Sequence, residues 1–441
     1  MNHLLREVLP ALDLSESYAA QHLALAGGSA LPSALPVSTL ACGAVAAAGL
    51  AASALVGGER VRVDPRQVAV SFRADQLLRL DGESLPGFAP MSGFFEASDG
   101  WVRTHANYPH HRDRLLRALG LPGGVTRADV AAAIATATAQ EVEDLVTSDQ
   151  GIAVRVRSWA EWRAGEQAAA VAAHDLLEVG TVGAAAPVAV RAAPRVLDLT
   201  RVLAGPVATR TLALVGCDVL RVDSPHLPEL DALYLDTGPG KRSTLVDLHD
   251  EHARARLHEL LDQADVLVTG YRPGSLVAFG LDPERLAHTH PHLVCASLSA
   301  WTPSGHWGAR RGFDSIVQAA TGIALIESPD GRTPGALPAQ ALDHATGYLL
   351  AAGILTALRR RAAEGGTWRV SAHLARTAQW LPATDALDGP AVAVAPEPWL
   401  MHAPTERGEV RLPRPAFRID ERFSRFAEVG RRWGADEAAW S

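Results

Sequence analysis

Cysteine is scarce. The 441 residues hold three, Cys42, Cys217 and Cys295, far apart and with no C-x-x-C pair. That excludes a disulfide framework and a zinc finger, and it suits a reducing, cytoplasmic setting. Positive charge is in deficit as well: 41 Lys and Arg stand against 49 Asp and Glu, for a formal charge of −8. The basic footprint of a nucleic-acid binder is therefore missing. No charged residue occurs from Leu23 to Gly58, a run long enough for a membrane span. Its residues are mostly Ala, Gly and Ser, with Pro32 and Pro36 inside. Ala and Gly add little transfer free energy, so a tightly packed buried helix is the better reading. The start Met1-Asn2-His3-Leu4-Leu5-Arg6-Glu7 lacks a basic stretch followed by an apolar one, so it does not read as a signal peptide. There is no G-x-S-x-G elbow, no P-loop and no G-x-G-x-x-G. His105, His110 and His111 cluster without an acidic or sulfur ligand at metal spacing, which reads as a solvated helix start and not a metal site.

What is present is an ordinary globular composition, 48% apolar, at a length that suits two or three domains. A small-sided helix is expected over 39–56, followed by an alternating strand at Arg60–Asp64 and another at Gln67–Phe72. Asp99-Gly100 is a turn signal ahead of a hairpin strand through His105. Residues 109–120 and 126–147 read as helices, and 178–195, rich in Ala, Gly, Pro and Val, as a linker.

Beyond it the pattern changes. Arg195–Leu199 reads as a strand, Ala204-Gly205-Pro206 as a turn opening a helix over 206–215, and Asp218–Asp223 as the next strand. Further strands are expected at Thr244–Asp247, Val266–Val268 and Leu293–Ser297, with a charged helix over 250–263. Alternating strands and helices predict an α/β fold with a doubly wound, mostly parallel, Rossmann-like sheet and a smaller α+β domain. There is also an internal echo. Gly347-Tyr-Leu-Leu-Ala-Ala-Gly353 matches Gly43-Ala-Val-Ala-Ala-Ala-Gly49 at an offset of 353 − 49 = 304, and a strand follows each helix.

Four places carry chemistry. The turn Arg201–Pro206 opens a helix whose N–H groups suit a phosphate, and Asp223 suits a ribose hydroxyl, although the dinucleotide glycine spacing is missing; a crossover with no ligand explains the same residues. Gly238-Pro239-Gly240-Lys241-Arg242-Ser243 is a phosphate grip or a solvated basic loop. Gly270-Tyr271-Arg272-Pro273-Gly274 follows a strand at the end where such sheets bind ligands, and its aromatic and guanidinium suit an adenine and a phosphate; an ordinary turn is the alternative. Asp343 opens a long apolar helix over 344–358, as a cap or as a nucleophile on a thioester. The loops 302–311 and 326–339 carry no chemical signature.

These motifs fall in one order: Arg195-Val-Leu-Asp-Leu-Thr-Arg-Val-Leu-Ala-Gly-Pro206, Gly216-Cys-Asp-Val-Leu-Arg-Val-Asp223, Gly240-Lys-Arg-Ser243, Ala264-Asp-Val-Leu-Val-Thr-Gly-Tyr-Arg-Pro-Gly274, Gly312-Phe-Asp-Ser-Ile-Val-Gln-Ala-Ala-Thr-Gly322 and Asp343-His-Ala-Thr-Gly347. Over roughly 195–385 the chain resembles the class III CoA-transferases, the family of formyl-CoA transferase and carnitine CoA-transferase. The resemblance implies that Asp343 is a nucleophile carrying an aspartyl-CoA thioester. It also implies CoA contacts at Val202, Leu203, Ala204, Lys241, Tyr271, Arg272 and Phe279, with an acyl-CoA and a small carboxylic acid as partners and no permanently bound cofactor. The chain departs from the family at Ser224 and Ala278, where cations are usual, and at Gly270, where an asparagine is. Phe313 stands where the related α-methylacyl-CoA racemases need a histidine.

Asp99-Gly-Trp-Val-Arg103 and Ser158-Trp-Ala-Glu-Trp162 resemble parts of the family's small domain. The echo then implies an incomplete tandem: a degenerate partial first copy over 1–178, its small domain at about 76–178, a linker at 179–194, a catalytic CoA-binding domain over 195–390 and a tail over 391–441 packing back on it. Thr39 takes the place of Asp343 in the first copy. Family members form interlaced dimers, so the chain is expected as a single-chain pseudo-dimer or a homodimer. The alternatives to a CoA-transferase are a non-catalytic CoA-binding relative, an acyl-CoA racemase and an NAD-dependent oxidoreductase.

Overall fold

A computed structural model describes residues 1–58 and 60–441. Its centre is a seven-stranded sheet of β1 (Glu178–Gly183), β2 (Arg195–Leu199), β3 (Asp218–Asp223), β4 (Lys241–Leu245), β5 (Val266–Thr269), β6 (Val294–Ser299) and β7 (Thr367–His373), in the spatial order β4-β3-β2-β5-β6-β7-β1. Strands β2 to β7 run parallel, and β1 closes one edge antiparallel to β7. Val196, Leu197, Val219, Leu220, Val266 and Val268 are buried because helices cover both faces, which is why these strands read as apolar runs and do not alternate. This is a doubly wound α/β sheet of the Rossmann type. Its strand order reverses between β2 and β5, so the loops after these two strands part and leave a crevice at their carboxyl ends.

Several expected elements take another form. The expected linker opens with β1, six residues that pair with β7 and form one edge of the main sheet: Glu178 pairs with Ser371 and Thr181 with Trp368. Gln67–Phe72 is not a strand. It lies in a helix, Pro65–Phe72, because Asp64 caps it by accepting the Arg66 N–H and Pro65 occupies the first turn. Residues 126–147 form two helices, Arg127–Ala135 and Ala139–Ser148, since Thr138 with Glu141 makes a second capping box after Thr126 with Asp129. These helices and Pro109–Ala118 pack on a small sheet, Gly93–Ala97, Gly100–Thr104 and Ala153–Arg155. The tail reaches both halves. Its hairpin, Leu400–Thr405 and Gly408–Pro413, pairs with Arg79–Leu80. Phe417–Ile419 pairs with Val61–Val63, while the Trp433 ring N–H bonds to Asp223 in β3 and that of Trp440 to the Leu260 carbonyl in the helix Glu251–Leu261.

Three helices set the middle of the molecule: α1 (Val37–Val56), α2 (Ala204–Leu214) and α3 (Ala341–Glu364). α1 and α3 lie against each other. Both are long and apolar enough to cross a membrane, and both are packed inside the protein, α3 almost completely. A helix apolar on every side belongs in a core, and small side chains let the two approach closely.

The 304-residue echo extends to packing. A Cβ on Gly347 would collide with the carbonyl of Ala204 at the start of α2; one on Gly43 would collide with Asn2 and Leu4, in and before the helix His3–Val8. A Cβ on Gly353 would strike Val370 in β7, and one on Gly49 would strike Val61 in the strand after α1. Matching glycines thus admit matching neighbours in the two halves.

Candidate functional site

Asp343 is the third residue of α3 and not its cap. The capping is done from another helix, Asp314–Ala320. The Asp314 carboxylate accepts the backbone N–H of Leu342 at 2.9 Å and of Asp343 at 3.0 Å. Gln318 donates its amide to the other Asp314 oxygen and accepts the Leu337 N–H at 2.9 Å. An acceptor supplied from outside satisfies the helix end, so the Asp343 carboxyl is left over. It is 8% exposed and accepts no hydrogen bond among the described residues. Burial, and then the neighbouring Asp314 charge, raise its pKa well above the usual carboxylate range. Burial also lifts Asp314, to about 6, against the pull of its backbone and Gln318 hydrogen bonds. Two carboxyls so placed titrate as a pair. The equivalent position in the first half is built the same way with a different residue: Asp388 accepts the N–H groups of Ser38 and Thr39, and also the Thr39 hydroxyl at 2.7 Å.

Two cavities meet at Asp343. A cleft of about 300 Å³ lies at the sheet's reversal point, with Val202, Leu203 and Ala204 after β2 on one side and Tyr271 and Arg272 after β5 on the other. A chamber of about 110 Å³ shares Val202, Leu203, Phe313 and Asp343 with it. Val202 has φ 70°, the left-handed region that a β-branched residue avoids. Its N–H is held by Glu229 at 3.0 Å, and Glu229 is in turn gripped by the fully buried Arg221 at 2.8 Å. A strained residue that is over-determined by its surroundings is typical of a ligand-binding loop. Leu203, the residue before α2, offers no side-chain cap, and Ala204 at the start of α2 lines the cleft.

Other expected contacts are placed elsewhere. Lys241 is the only lysine of the chain and is fully buried. Its ammonium donates to Asp198 Oδ2 at 3.2 Å, the Pro206 carbonyl at 2.9 Å and Thr209 Oγ1 at 2.6 Å. All its donors are consumed within the fold, and burial lowers its pKa to about 8. It braces α2 from below and does not line the cleft. Phe279 packs on His249 in the second apolar cluster, outside the cleft lining. Asp223, the expected ribose partner, is bound by Arg221 at 2.7 Å and by the Trp433 ring N–H at 2.9 Å.

The structure adds residues that sequence reasoning missed. Arg201 and Arg311 line the cleft beside Arg272. Arg272 makes no protein hydrogen bond with its side chain among the described residues, whereas Arg311 bonds to Gln150. These arginines supply positive charge that Ser224 and Ala278 do not. From the first half come Tyr108, His110 and His111 in the cleft and Phe88, His105 and Asn107 in the chamber. His105 lies flat on Phe313, ring centroids 3.6 Å apart. Burial drops its pKa to about 3, so it is neutral and a poor proton shuttle near pH 7. The motif holding Arg201 pointed to the right loop, and Arg311 carried no local signal; the histidine cluster, expected as a solvated helix start, instead has His105 and His111 buried against the site, because the first half packs there on Phe313.

Comparison with known proteins agrees with the resemblance. Residues 192–399 match the model of CoA-transferase family III. A probable fatty acyl-CoA transferase of Mycobacterium tuberculosis is 35% identical over 185 residues, 39% of this chain and 47% of that protein. A formyl-CoA:oxalate CoA-transferase of Streptomyces coelicolor is 33% identical, over 40% of this chain and 46% of its own length. A human succinyl-CoA:glutarate CoA-transferase is 31% identical, over 37% and 40%. The crystal structure of a hypothetical protein from M. tuberculosis aligns at 33% identity and TM-score 0.40, over 44% of this chain and 56% of that one. The chain spans about half the length of the curated relatives it matches.

The placement of Lys241 has a measurable consequence. Lys241→Met leaves Asp198 buried without its cation, and breaking such a pair costs about 3–5 kcal/mol. Urea denaturation should show that loss. A change below about 0.5 kcal/mol, the size of an ordinary surface substitution, would put Lys241 in the solvated loop instead.

Proposed function

We propose, from the match of residues 192–399 to the model of CoA-transferase family III, that this protein moves CoA from an acyl-CoA to a carboxylic acid, with Asp343 as the carrier. The observation that supports it most is the Asp343 carboxyl itself: buried, without a hydrogen-bond partner among the described residues, and at the junction of two cavities. The cleft takes the CoA. Its phosphates lie toward Arg272, Arg311 and the amino end of α2, and its adenine toward Tyr271. The chamber takes the acyl group.

The Asp343 carboxylate attacks the acyl carbonyl carbon, and the carbon–sulfur bond breaks to release CoA thiolate, leaving a mixed anhydride. The thiolate then attacks the Asp343 carbonyl and expels the first acid as its carboxylate, which leaves an aspartyl-CoA thioester. The incoming carboxylate attacks that thioester and frees the thiolate. The thiolate attacks the new acyl carbon, and Asp343 departs as a carboxylate. Each step exchanges one activated acyl bond for another, so no ATP is consumed. Nearby backbone N–H groups would stabilise the oxyanions. Groups from residues 88–111 and from residues 201–343 line the same cavities within one chain, which supports a single-chain pseudo-dimer with one functional site. On this reading Thr39, whose hydroxyl cannot form the anhydride, marks the silent copy.

Asp343→Ala should abolish transfer while CoA still binds by calorimetry. Full transfer activity in that variant would sink the assignment, and CoA binding by a wild-type protein without transfer would favour the non-catalytic relative.

Because the Asp343 pKa is raised, the carboxyl holds its proton to higher pH than an ordinary aspartic acid. Transfer should fall as pH drops, on a limb above the ordinary carboxylate range. Asp314→Asn removes the neighbouring negative charge and keeps an acceptor for the α3 N–H groups. The limb should then move to lower pH in a kcat/KM profile. A limb that stays in place would mean that Asp314 charge does not act on Asp343.

A further inference from the structure

A cluster of donor side chains lies outside the CoA cleft, and the transfer reading uses none of it. His174 follows the helix Glu166–Ala172, the last helix before the main sheet. Glu178 opens the edge strand β1, and His373 ends the neighbouring β7. One ligand atom from each lies within 4.8 Å of the other two, and among the described residues this is the one such group of three.

The hydrogen bonds leave one lone pair free. Ser299 has a single hydroxyl proton and donates it to the Trp301 carbonyl. Toward His373 Nδ1, 2.9 Å away, the same oxygen can then only accept. His373 therefore carries its proton on Nδ1, and its Nε2 presents a bare lone pair. Ser299 lies on β6 and Glu178 on β1, on opposite sides of β7, so the nitrogen not held by Ser299 is the one left toward Glu178. That atom has no partner, in a residue only 4% exposed. Burial lowers the His373 pKa to about 4, so the ring stays neutral near pH 7. Ligating imidazoles are oriented in this way, by a hydrogen bond from the other nitrogen. Glu178 is oriented likewise: its Oε2 accepts the Ser371 hydroxyl at 2.5 Å, and its Oε1 lies 2.7 Å from His174 Nδ1. His174 Nε2 faces the Ser304 hydroxyl at 2.7 Å, so moving the ring proton to Nε2 frees Nδ1 for an ion.

We propose that His174 Nδ1, Glu178 Oε1 and His373 Nε2 form a site for a divalent transition-metal ion of the zinc class. Two imidazoles and a carboxylate suit zinc, whereas calcium and magnesium prefer all-oxygen sets. A tetrahedral ion with bonds of about 2.0–2.2 Å holds its ligand atoms about 3.4 Å apart, so the widest gap closes by roughly 1.4 Å. The fourth position opens on a cavity of about 640 Å³ lined by His174, Glu178 and Ser371, where water completes the coordination. Glu7 and Asp175 line it too and offset the charge of Arg369. The ion fastens the chain where it passes from the helix Glu166–Ala172 onto the edge of the sheet.

The test uses the full chain without an affinity tag, stripped with a chelator and titrated with Zn²⁺ by calorimetry. One equivalent should bind, and the melting temperature should rise with Zn²⁺. Co²⁺ in its place should give the visible absorption of a four-coordinate site. Glu178→Gln and His174→Gln should each weaken Zn²⁺ binding about a hundredfold or more, and Ser299→Ala, which releases the His373 ring, about tenfold. No bound Zn²⁺ overturns the proposal. So does wild-type affinity in Glu178→Gln and His174→Gln, which would mean surface histidines bind the ion instead. A six-coordinate Co²⁺ spectrum overturns it as well, and this reading on the wild-type chain decides the matter if a variant does not fold.

Discussion

The structure turns on how the start of α3 is capped. A helix needs an acceptor for its first N–H groups, and an Asp within its first turn would ordinarily help to provide one. Here Asp314 reaches in from a separate helix and accepts the N–H groups of Leu342 and Asp343. That relieves Asp343 of the task. A carboxylate spent on a cap is a poor nucleophile, and one in open water is solvated; Asp343 is neither. The cost is a buried pair of carboxyls whose pKa values are both raised. A protein built only for stability would not keep such a pair, since burying charge without a partner is expensive.

The surroundings exist to hold that carboxyl at the meeting of two halves. α1 and α3 pack through small residues, and Gly347 lets the start of α2 come against α3. This brings the Val202–Ala204 turn to the cavity that Asp343 lines. Val202 would relax out of its left-handed backbone were it not tied through Glu229 to Arg221, Asp223 and Tyr108. The first half repeats the cap geometry with Asp388 and Thr39, but there the capping carboxylate also takes the hydroxyl of the residue that matches Asp343.

Much of this was legible in the sequence because the relevant signals are local. The strand Arg195–Leu199, the turn at Ala204-Gly205-Pro206 and the strand Val266–Thr269 are contiguous runs, and their alternation with helices implies the parallel sheet; the spatial order that places its reversal point came from the structure. The Gly-x-x-x-x-x-Gly echo at 43–49 and 347–353 was visible because each glycine answers a neighbouring backbone or side chain. What escaped was non-local. A lone Gly-Lys-Arg-Ser reads as a phosphate grip, and only the fold shows Lys241 facing inward onto Asp198. The edge strand Glu178–Gly183 hides in a stretch of linker composition because its partner lies far along the chain, in β7. Nothing near Asp314 in sequence announces that it caps Asp343, and Arg311 and His105 reach the site from loops and strands with no motif of their own.

The central claim is that Asp343 carries CoA as a thioester. Hydroxylamine trapping during incubation with an acyl-CoA, followed by peptide mapping, addresses it directly. The account predicts a hydroxamate on Asp343 that forms only when acyl-CoA is present. Transfer activity with an unmodified Asp343 peptide, or with the hydroxamate on another carboxylate, would contradict it.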